Sequence, residues 1–211
     1  MVYRFGYWGD RKAGVNNKKG RPGRKGTPPP ITVAPSTVTW NPSDKSADIT
    51  LSNGNLTMTN SGAGHDGVRA TVGKSSGKYY YEVVMVSNIG FGREIIGIAD
   101  SGHSLTTFVG AGAAGYSWQV SSTLKWNNSV SAAYGVEAGP SAGDVIGVLL
   151  DLGAGTLSYT IRGVSEGTAF SGLSGTFYPM HSNLSVSVTT VRFKSSQWTY
   201  TPPAGYLQWT V

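Results

Sequence analysis

Short apolar runs separated by turn residues recur along the chain from residue 48 to residue 193. Residues 48–51 and 56–59 alternate apolar and polar positions on either side of Asn53-Gly54, a dipeptide typical of a tight β-hairpin. Further runs of β-forming residues occupy 78–86, 95–99, 116–120, 144–152, 156–161, 177–180 and 186–193. Because no stretch repeats its apolar positions with the period of a capped helix, the pattern predicts an all-β sandwich or barrel.

Three long intervals between these runs are predicted loops, at residues 100–114, 121–142 and 162–175. Loops on a rigid sandwich commonly carry the binding residues. The candidate ligand-contacting residues in these loops are His103, Phe108, Trp126, Asn127, Tyr134 and Arg162. Trp126 is the best anchor candidate, because Trp and Tyr dominate interface energetics. The alternative is that its ring only covers the end of the sandwich. Trp40, Trp118 and Trp198 are predicted to lie in the core.

The positive charge of the chain is concentrated at its N-terminus. The formal net charge is +6, yet residues 1–30 alone carry eight basic residues and one acid, and residues 31–211 are close to neutral. Gly14, Gly20, Gly23 and Gly26 together with the run Thr27-Pro28-Pro29-Pro30 predict an extended arm without a core of its own. The aromatic and basic residues proposed to anchor this arm to a partner are Tyr3, Arg4, Phe5, Tyr7, Trp8, Arg11, Lys12, Lys18, Lys19, Arg21, Arg24 and Lys25.

Residues that would carry catalysis or metal binding are sparse. The chain has no Cys, and His65, His103 and His181 lie far apart in the sequence. We predict a Gly-rich turn at His65 and a strand end at His181. No strand-turn-helix nucleophile elbow is visible, and the G-x-G-x-x-G run at 110–115 leads into a strand rather than a helix, so we interpret it as a loop. We therefore expect no enzymatic activity, no cofactor and no metal. No apolar stretch of about 18 residues predicts a membrane span.

The order of the motifs is similar to that of a known family. The chain shows TWNPSDK at 39–45, SSGKYYYEV at 75–83, GYSW at 115–118, GDVIGV at 143–148, GTLSYT at 155–160 and YTPPAGY at 200–206. This succession resembles a SPRY (B30.2-like) domain of the kind found in tailed-phage virion proteins, from about residue 38 to residue 207. The resemblance implies a bent two-sheet antiparallel β-sandwich without catalytic activity, which binds partners through loops at one end. We assign residues 1–37 to the arm and residues 38–211 to the sandwich.

The arm and the resemblance together suggest a structural virion protein of a tailed bacteriophage, such as a capsid decoration protein, a head fibre or a tail adaptor. In this hypothesis the arm binds capsid or tail subunits, the chain is oligomeric within the assembly, and the protein is located in the virion. One alternative is a phage module that recognises a host-surface glycan or protein through the loops. A second alternative is nucleic-acid binding through the basic arm, because clustered Lys and Arg contact phosphates.

Overall fold

The computed structural model describes residues 37–87, 94–136, 139–184 and 186–211. These ranges contain fifteen β-strands and two single-turn 3₁₀ helices, Val120–Ser122 and Ser195–Gln197. In chain order the strands are β1 Trp40–Lys45, β2 Ile49–Ser52, β3 Thr57–Asn60, β4 His65–Ala70, β5 Lys78–Ser87, β6 Glu94–Ala99, β7 Gly115–Gln119, β8 Leu124–Asn127, β9 Val130–Ala133, β10 Val145–Asp151, β11 Thr156–Ile161, β12 Val164–Phe170, β13 Tyr178–Leu184, β14 Ser187–Arg192 and β15 Leu207–Gln208. No helix among the described residues has the length and apolar character needed to cross a membrane.

The strands form two sheets. Sheet A has the strand order β1-β4-β13-β6-β7-β8-β9, and sheet B has the order β12-β11-β10-β5-β14-β3-β2. The short strand β15 pairs with β5 in parallel, and the other described strand pairs are antiparallel. The predicted two-sheet antiparallel sandwich is therefore confirmed.

The main core lies between the two sheets. Strand β11 shows the expected alternation, with Leu157, Tyr159 and Ile161 buried and the residues between them half-buried. Trp40 and Trp118 are fully buried in this core, as predicted. Trp198 is only half-buried, and its ring meets Tyr80 edge-on with the ring centroids 4.9 Å apart.

A second, smaller apolar cluster lies on the outer face of sheet A. On β6, Ile96 and Ile98 belong to the main core, whereas Ile95 and Ala99 belong to the second cluster. Successive side chains of a strand point to opposite faces, so Ile95 and Ala99 point away from sheet B. The segment 100–114 lies over this cluster and contributes the buried Val109 to it.

Four predictions about local structure are wrong. The interval 121–142 contains β8 and β9, and the interval 162–175 contains β12, although both were predicted as loops. All four residues of β9 and four of the seven residues of β12 are exposed, so neither strand shows an apolar alternation. His65 begins strand β4 rather than lying in a turn. His181 lies buried within β13, where Nε2 is 2.8 Å from the Glu94 carboxylate.

The first and last described residues of the sandwich are neighbours. Thr37 and Val38 line the same surface depression as Thr210 and Val211. Trp209 lines the same depression, is 1% exposed, and donates through its indole Nε1 to the carbonyl oxygen of Val72 at 2.8 Å. Trp209 thus closes one side of the main core.

Candidate functional site

The segment 100–114 is fixed to sheet A by backbone hydrogen bonds. Gly67 of β4 donates its N–H to the carbonyl oxygen of Leu105 at 2.8 Å. Val109 donates its N–H to the hydroxyl oxygen of Ser182 on β13 at 2.9 Å, and its own carbonyl accepts from the hydroxyl of Ser117 on β7. Because three strands hold the segment, its side chains have defined positions on the outer face of sheet A.

A buried arginine fixes the start of this segment. The Arg69 guanidinium, 3% exposed, donates through Nε and Nη2 to both carboxylate oxygens of Asp44, at 2.7 and 3.0 Å. Its Nη1 donates to the carbonyl oxygens of Asp100 and His103, at 2.7 and 3.0 Å. The bidentate ion pair with β1 satisfies the buried charge and leaves the third nitrogen to hold the segment.

His103 organises the second half of the segment from the inside. Its Nδ1 is 2.9 Å from the carbonyl oxygen of Ser104, and its Nε2 is within 3.4 Å of the backbone nitrogens of Gly110 and Gly112. This pattern corresponds to a neutral imidazole that donates from Nδ1 and accepts at Nε2. A Cβ at Gly115 would lie 2.4 Å from Nε2, so the packing requires glycine there. His103 is 7% exposed and holds the segment together.

Asn127 fixes the far side of the segment. Its side-chain amide donates to the carbonyl oxygens of Ala113 and Gly115, at 2.7 and 2.9 Å. The hydroxyl of Ser129, in the turn after β8, donates to the carbonyl oxygen of Ala111 at 2.9 Å. The Asn127 side chain therefore holds the end of the segment in place.

A small pocket opens where the segment meets β4, β6, β7 and β8. It has a volume of about 130 Å³ and is lined by His65, Ile95, Phe108, Gln119 and Trp126, a set called the aromatic pocket below. The Phe108 ring contacts two of the other rings of the pocket: its centroid is 5.3 Å from that of His65 and 5.1 Å from that of Trp126. The Trp126 indole donates to Gln119 Oε1 at 3.0 Å, which fixes the plane of the indole.

The aromatic pocket is electrically neutral near pH 7. His65 supplies its only titratable side chain among the described residues, and burial lowers the pKa of this imidazole, an effect that the nearby Asp66 partly offsets. Nδ1 of His65 is buried and has no hydrogen-bond partner in the described part of the chain. A neutral, mostly aromatic lining suits an apolar group and disfavours a charged one. Across the described ranges, no three His, Cys, Asp or Glu side chains converge to hold a metal ion.

The six predicted ligand-contacting residues separate into groups. Phe108 and Trp126 line the aromatic pocket, and His103 and Asn127 hold the segment that supports it. Tyr134 is 8% exposed and packs between the sheets, where its hydroxyl donates to the carbonyl oxygen of Gly167 at 2.7 Å and burial raises its pKa. Arg162 lies at the turn after β11 in sheet B and pairs with Asp144.

Sequence reasoning missed three residues of the aromatic pocket and could not place the arm. Ile95 looked like an ordinary core residue, Gln119 was one position within a predicted strand, and His65 was assigned to a turn. The predicted arm residues lie outside the described residues, namely Tyr3, Arg4, Phe5, Tyr7, Trp8, Arg11, Lys12, Lys18, Lys19, Arg21, Arg24 and Lys25.

A family model decides which family this sandwich represents. The model of the SPRY domain matches residues 78–193, more than half of the chain and the stretch from β5 to the end of β14. The chain belongs to the SPRY family. SPRY domains mediate protein–protein interactions.

Curated relatives of this SPRY protein come from animals. SPRY domain-containing SOCS box protein 2 of Mus musculus is 30% identical over 166 residues, which cover 72% of this chain and 63% of that protein. Ran-binding protein 10 of Danio rerio is 33% identical over 149 residues, covering 66% of this chain and 24% of the relative. The chain therefore spans from about a quarter to just under two thirds of the length of these relatives.

Solved SPRY domains share the fold. The crystal structure of the SPRY domain of human HERC1 has a TM-score of 0.63 and 18% sequence identity, covering 72% of this chain and 96% of that one. The crystal structure of the TRIM65 PSpry domain has a TM-score of 0.60 and 17% sequence identity, and the match covers 74% of this chain and 92% of that one. At such identities the likeness shows the fold alone.

The predicted virion function is wrong. The relatives of this SPRY protein are eukaryotic proteins with names such as SOCS box protein and Ran-binding protein, and none of those named here is a phage component. The virion location and the capsid or tail partners are wrong for the same reason, and the host-surface and nucleic-acid alternatives are not supported. The physical cause is that the quoted motifs are strands and turns of the sandwich. They specify the fold and carry no information about the assembly in which the fold is used.

Proposed function

We propose that this chain is a protein-interaction module, and that its partner inserts one apolar side chain into the aromatic pocket. The observation that carries the proposal is a preformed, neutral opening lined by the Phe108 and Trp126 rings, which hold each other edge-to-face. Aromatic anchors in a small pocket are typical of the residues that dominate protein interfaces.

The size of the pocket favours a side chain over a free small molecule. Sites for drug-sized ligands usually have volumes of roughly 300–1,000 Å³, whereas this pocket measures about 130 Å³. The lining contains three flat rings and Ile95, so an aliphatic or small aromatic side chain is the best match. Binding to such a site requires little rearrangement, because Arg69, His103 and Asn127 already hold the segment that carries Phe108.

A displayed random peptide library provides the test. The full chain is immobilised, enriched peptides are synthesised, and their dissociation constants are measured by calorimetry. We expect enriched peptides to share one apolar residue, and we expect Trp126→Ala to weaken binding by about tenfold or more, as for an interface hot spot.

The control variant is Val130→Ala, since Val130 is 68% exposed on β9 and lies outside the pocket lining. It should bind the peptides as the parent chain does. Circular dichroism of all variants verifies the fold. Peptides that bind equally well to the Phe108→Ala, Trp126→Ala and parent chains would show that the aromatic pocket is not the interaction site.

A further inference from the structure

A second concave surface lies on the opposite side of the sandwich. On β5 and β10, Tyr81, Val148 and Leu150 belong to the main core, so Tyr80 and Leu149 point to the outer face of sheet B. The C-terminal segment 198–206 runs along this face and leaves a groove of about 390 Å³ between itself and the strands. The groove is lined by Tyr80, Leu149, Ser158, Thr160, Gly163, Ser165, Tyr200, Thr201, Pro202, Pro203 and Tyr206, and it is called the tyrosine groove below.

The C-terminal segment 198–206 forms one wall of the tyrosine groove, and a buried carboxylate binds its backbone. Glu82, which is fully buried, accepts the backbone N–H groups of Thr199 and Tyr200, both at 2.8 Å. It also accepts the Tyr80 hydroxyl at 3.0 Å. The Tyr200 ring packs directly on Gly163, where an added Cβ would come within 2.6 Å of the ring. The aromatic surfaces of the groove are thus positioned before any ligand arrives.

The side chains that line the tyrosine groove are of few chemical kinds. No charged side chain and no side-chain amide occurs among the described residues that line the groove. Its polar groups are hydroxyls, including those of Ser158, Ser165 and Tyr206, which donate hydrogen bonds. Its apolar surface comes from tyrosine rings, Leu149 and two prolines.

A proline-rich chain in the polyproline II conformation is complementary to this lining. Proline has no backbone N–H, so such a chain presents carbonyl acceptors and apolar rings and carries no charge. The groove supplies hydroxyl donors for those carbonyls, aromatic surfaces for the rings, and a matching absence of charge. Aromatic-lined grooves are a recurrent means of binding polyproline II segments. A saccharide fits less well, because its many hydroxyl donors would meet no carboxylate or amide acceptor.

We propose that the tyrosine groove binds a proline-rich segment of a partner protein. This site is separate from the aromatic pocket, which lies on the outer face of sheet A, and it does not rest on the function proposed above. A partner that carries both an apolar anchor and a proline-rich stretch would engage the two outer faces of one sandwich.

Fluorescein-labelled decaproline is the probe, and its fluorescence anisotropy is measured as the full-length chain is added. A labelled Gly-Ser decapeptide reports non-specific binding. We expect decaproline to bind and the Gly-Ser peptide not to bind. We expect Tyr206→Ala to weaken decaproline binding by about tenfold or more, as for a buried aromatic anchor.

The matched control is Leu207→Ala, because Leu207 is the next residue along the chain, is 59% exposed and does not line the groove. It should change the dissociation constant by less than about twofold. Ser165→Ala provides a milder second variant if Tyr206→Ala lowers the folded fraction seen by circular dichroism, and it should weaken binding through the loss of one donor. Trp126→Ala should leave decaproline binding unchanged, which separates this site from the aromatic pocket.

Two results would overturn the proposal. One is decaproline binding no better than the Gly-Ser peptide, or equally well to the Tyr206→Ala and parent chains. The other is binding of maltose, cellobiose or lactose that is lost in Tyr206→Ala while decaproline does not bind, which would assign the groove to saccharides.

Discussion

Replacing Glu82 tests how the C-terminal segment is held on sheet B. This fully buried carboxylate accepts four hydrogen bonds, from the Tyr80 hydroxyl, the backbone of Thr199 and Tyr200, and, at 3.4 Å, Arg192 Nη1. Glu82→Ala removes the acceptor of all four hydrogen bonds at once. We expect segment 198–206 to detach locally and the whole chain to lose stability.

The expected loss of unfolding free energy can be worked out from these hydrogen bonds. A hydrogen bond to a charged group contributes about 1.5–3 kcal/mol, and a buried donor left unpaired costs about 1–3 kcal/mol. The Arg192 side chain is 31% exposed and can be hydrated, so its share is small. Because the contributions of one network are not additive, we expect Glu82→Ala to lower the free energy of unfolding by about 3–5 kcal/mol. Glu82→Gln keeps the volume and one acceptor oxygen, and should cost about half as much.

Urea unfolding of the full chain measures the loss, and hydrogen exchange at the amides of Thr199 and Tyr200 locates it. Val164→Ala is the control, since Val164 is 61% exposed, and it should change stability by no more than about 0.5 kcal/mol. The reasoning is refuted if Glu82→Ala loses less than about 1 kcal/mol, or if the two amides exchange as slowly as in the parent chain.

Three further predictions concern packing and pH. Gly97→Ala would place a Cβ 1.9 Å from the carbonyl oxygen of Tyr116, forcing β6 and β7 apart, and urea unfolding should show a loss of at least about 3 kcal/mol. Trp209→Ala removes a core indole and its hydrogen bond and should cost about 3–5 kcal/mol by the same measurement; a loss below about 1 kcal/mol would contradict its role in closing the core. Hydrogen bonding from Arg162 lowers the pKa of the Asp144 carboxyl in the folded chain, so the pair stabilises the fold above the unfolded value of 3.8. The stability difference between the parent chain and Arg162→Gln should therefore shrink as the pH falls below about 4, and a pH-independent difference would argue against the pairing.

The sequence predicts an element correctly where the residues of that element themselves carry a recognisable pattern. The turn at Asn53-Gly54 was predicted from two residues, and both adopt positive φ angles, 53° and 63°, within the four-residue turn 53–56 that joins β2 to β3. Strand β10 was predicted from its continuous apolar run, and all seven of its residues are buried. In these cases the side chains that decide the conformation lie within the element itself.

The aromatic pocket could be predicted only in part, because its residues meet through the sheet. His65 and Trp126 lie 61 positions apart in the sequence and approach each other only once β4, β13, β6, β7 and β8 are in register. Phe108 and Trp126 were found because aromatic residues in predicted loops can be identified from the sequence without the fold; both are half-buried in the structure. No signal in the sequence distinguishes a histidine beside a pocket from one in a turn.

The closeness of Thr37 and Val211 has a consequence for how this sandwich can be combined with other domains. The backbone enters and leaves the fold at neighbouring points beside Trp209. A host protein could therefore carry the sandwich within a surface loop without separating the two ends of that loop. The same geometry favours circular permutation, in which a short linker joins these two points and new ends are opened at an exposed turn.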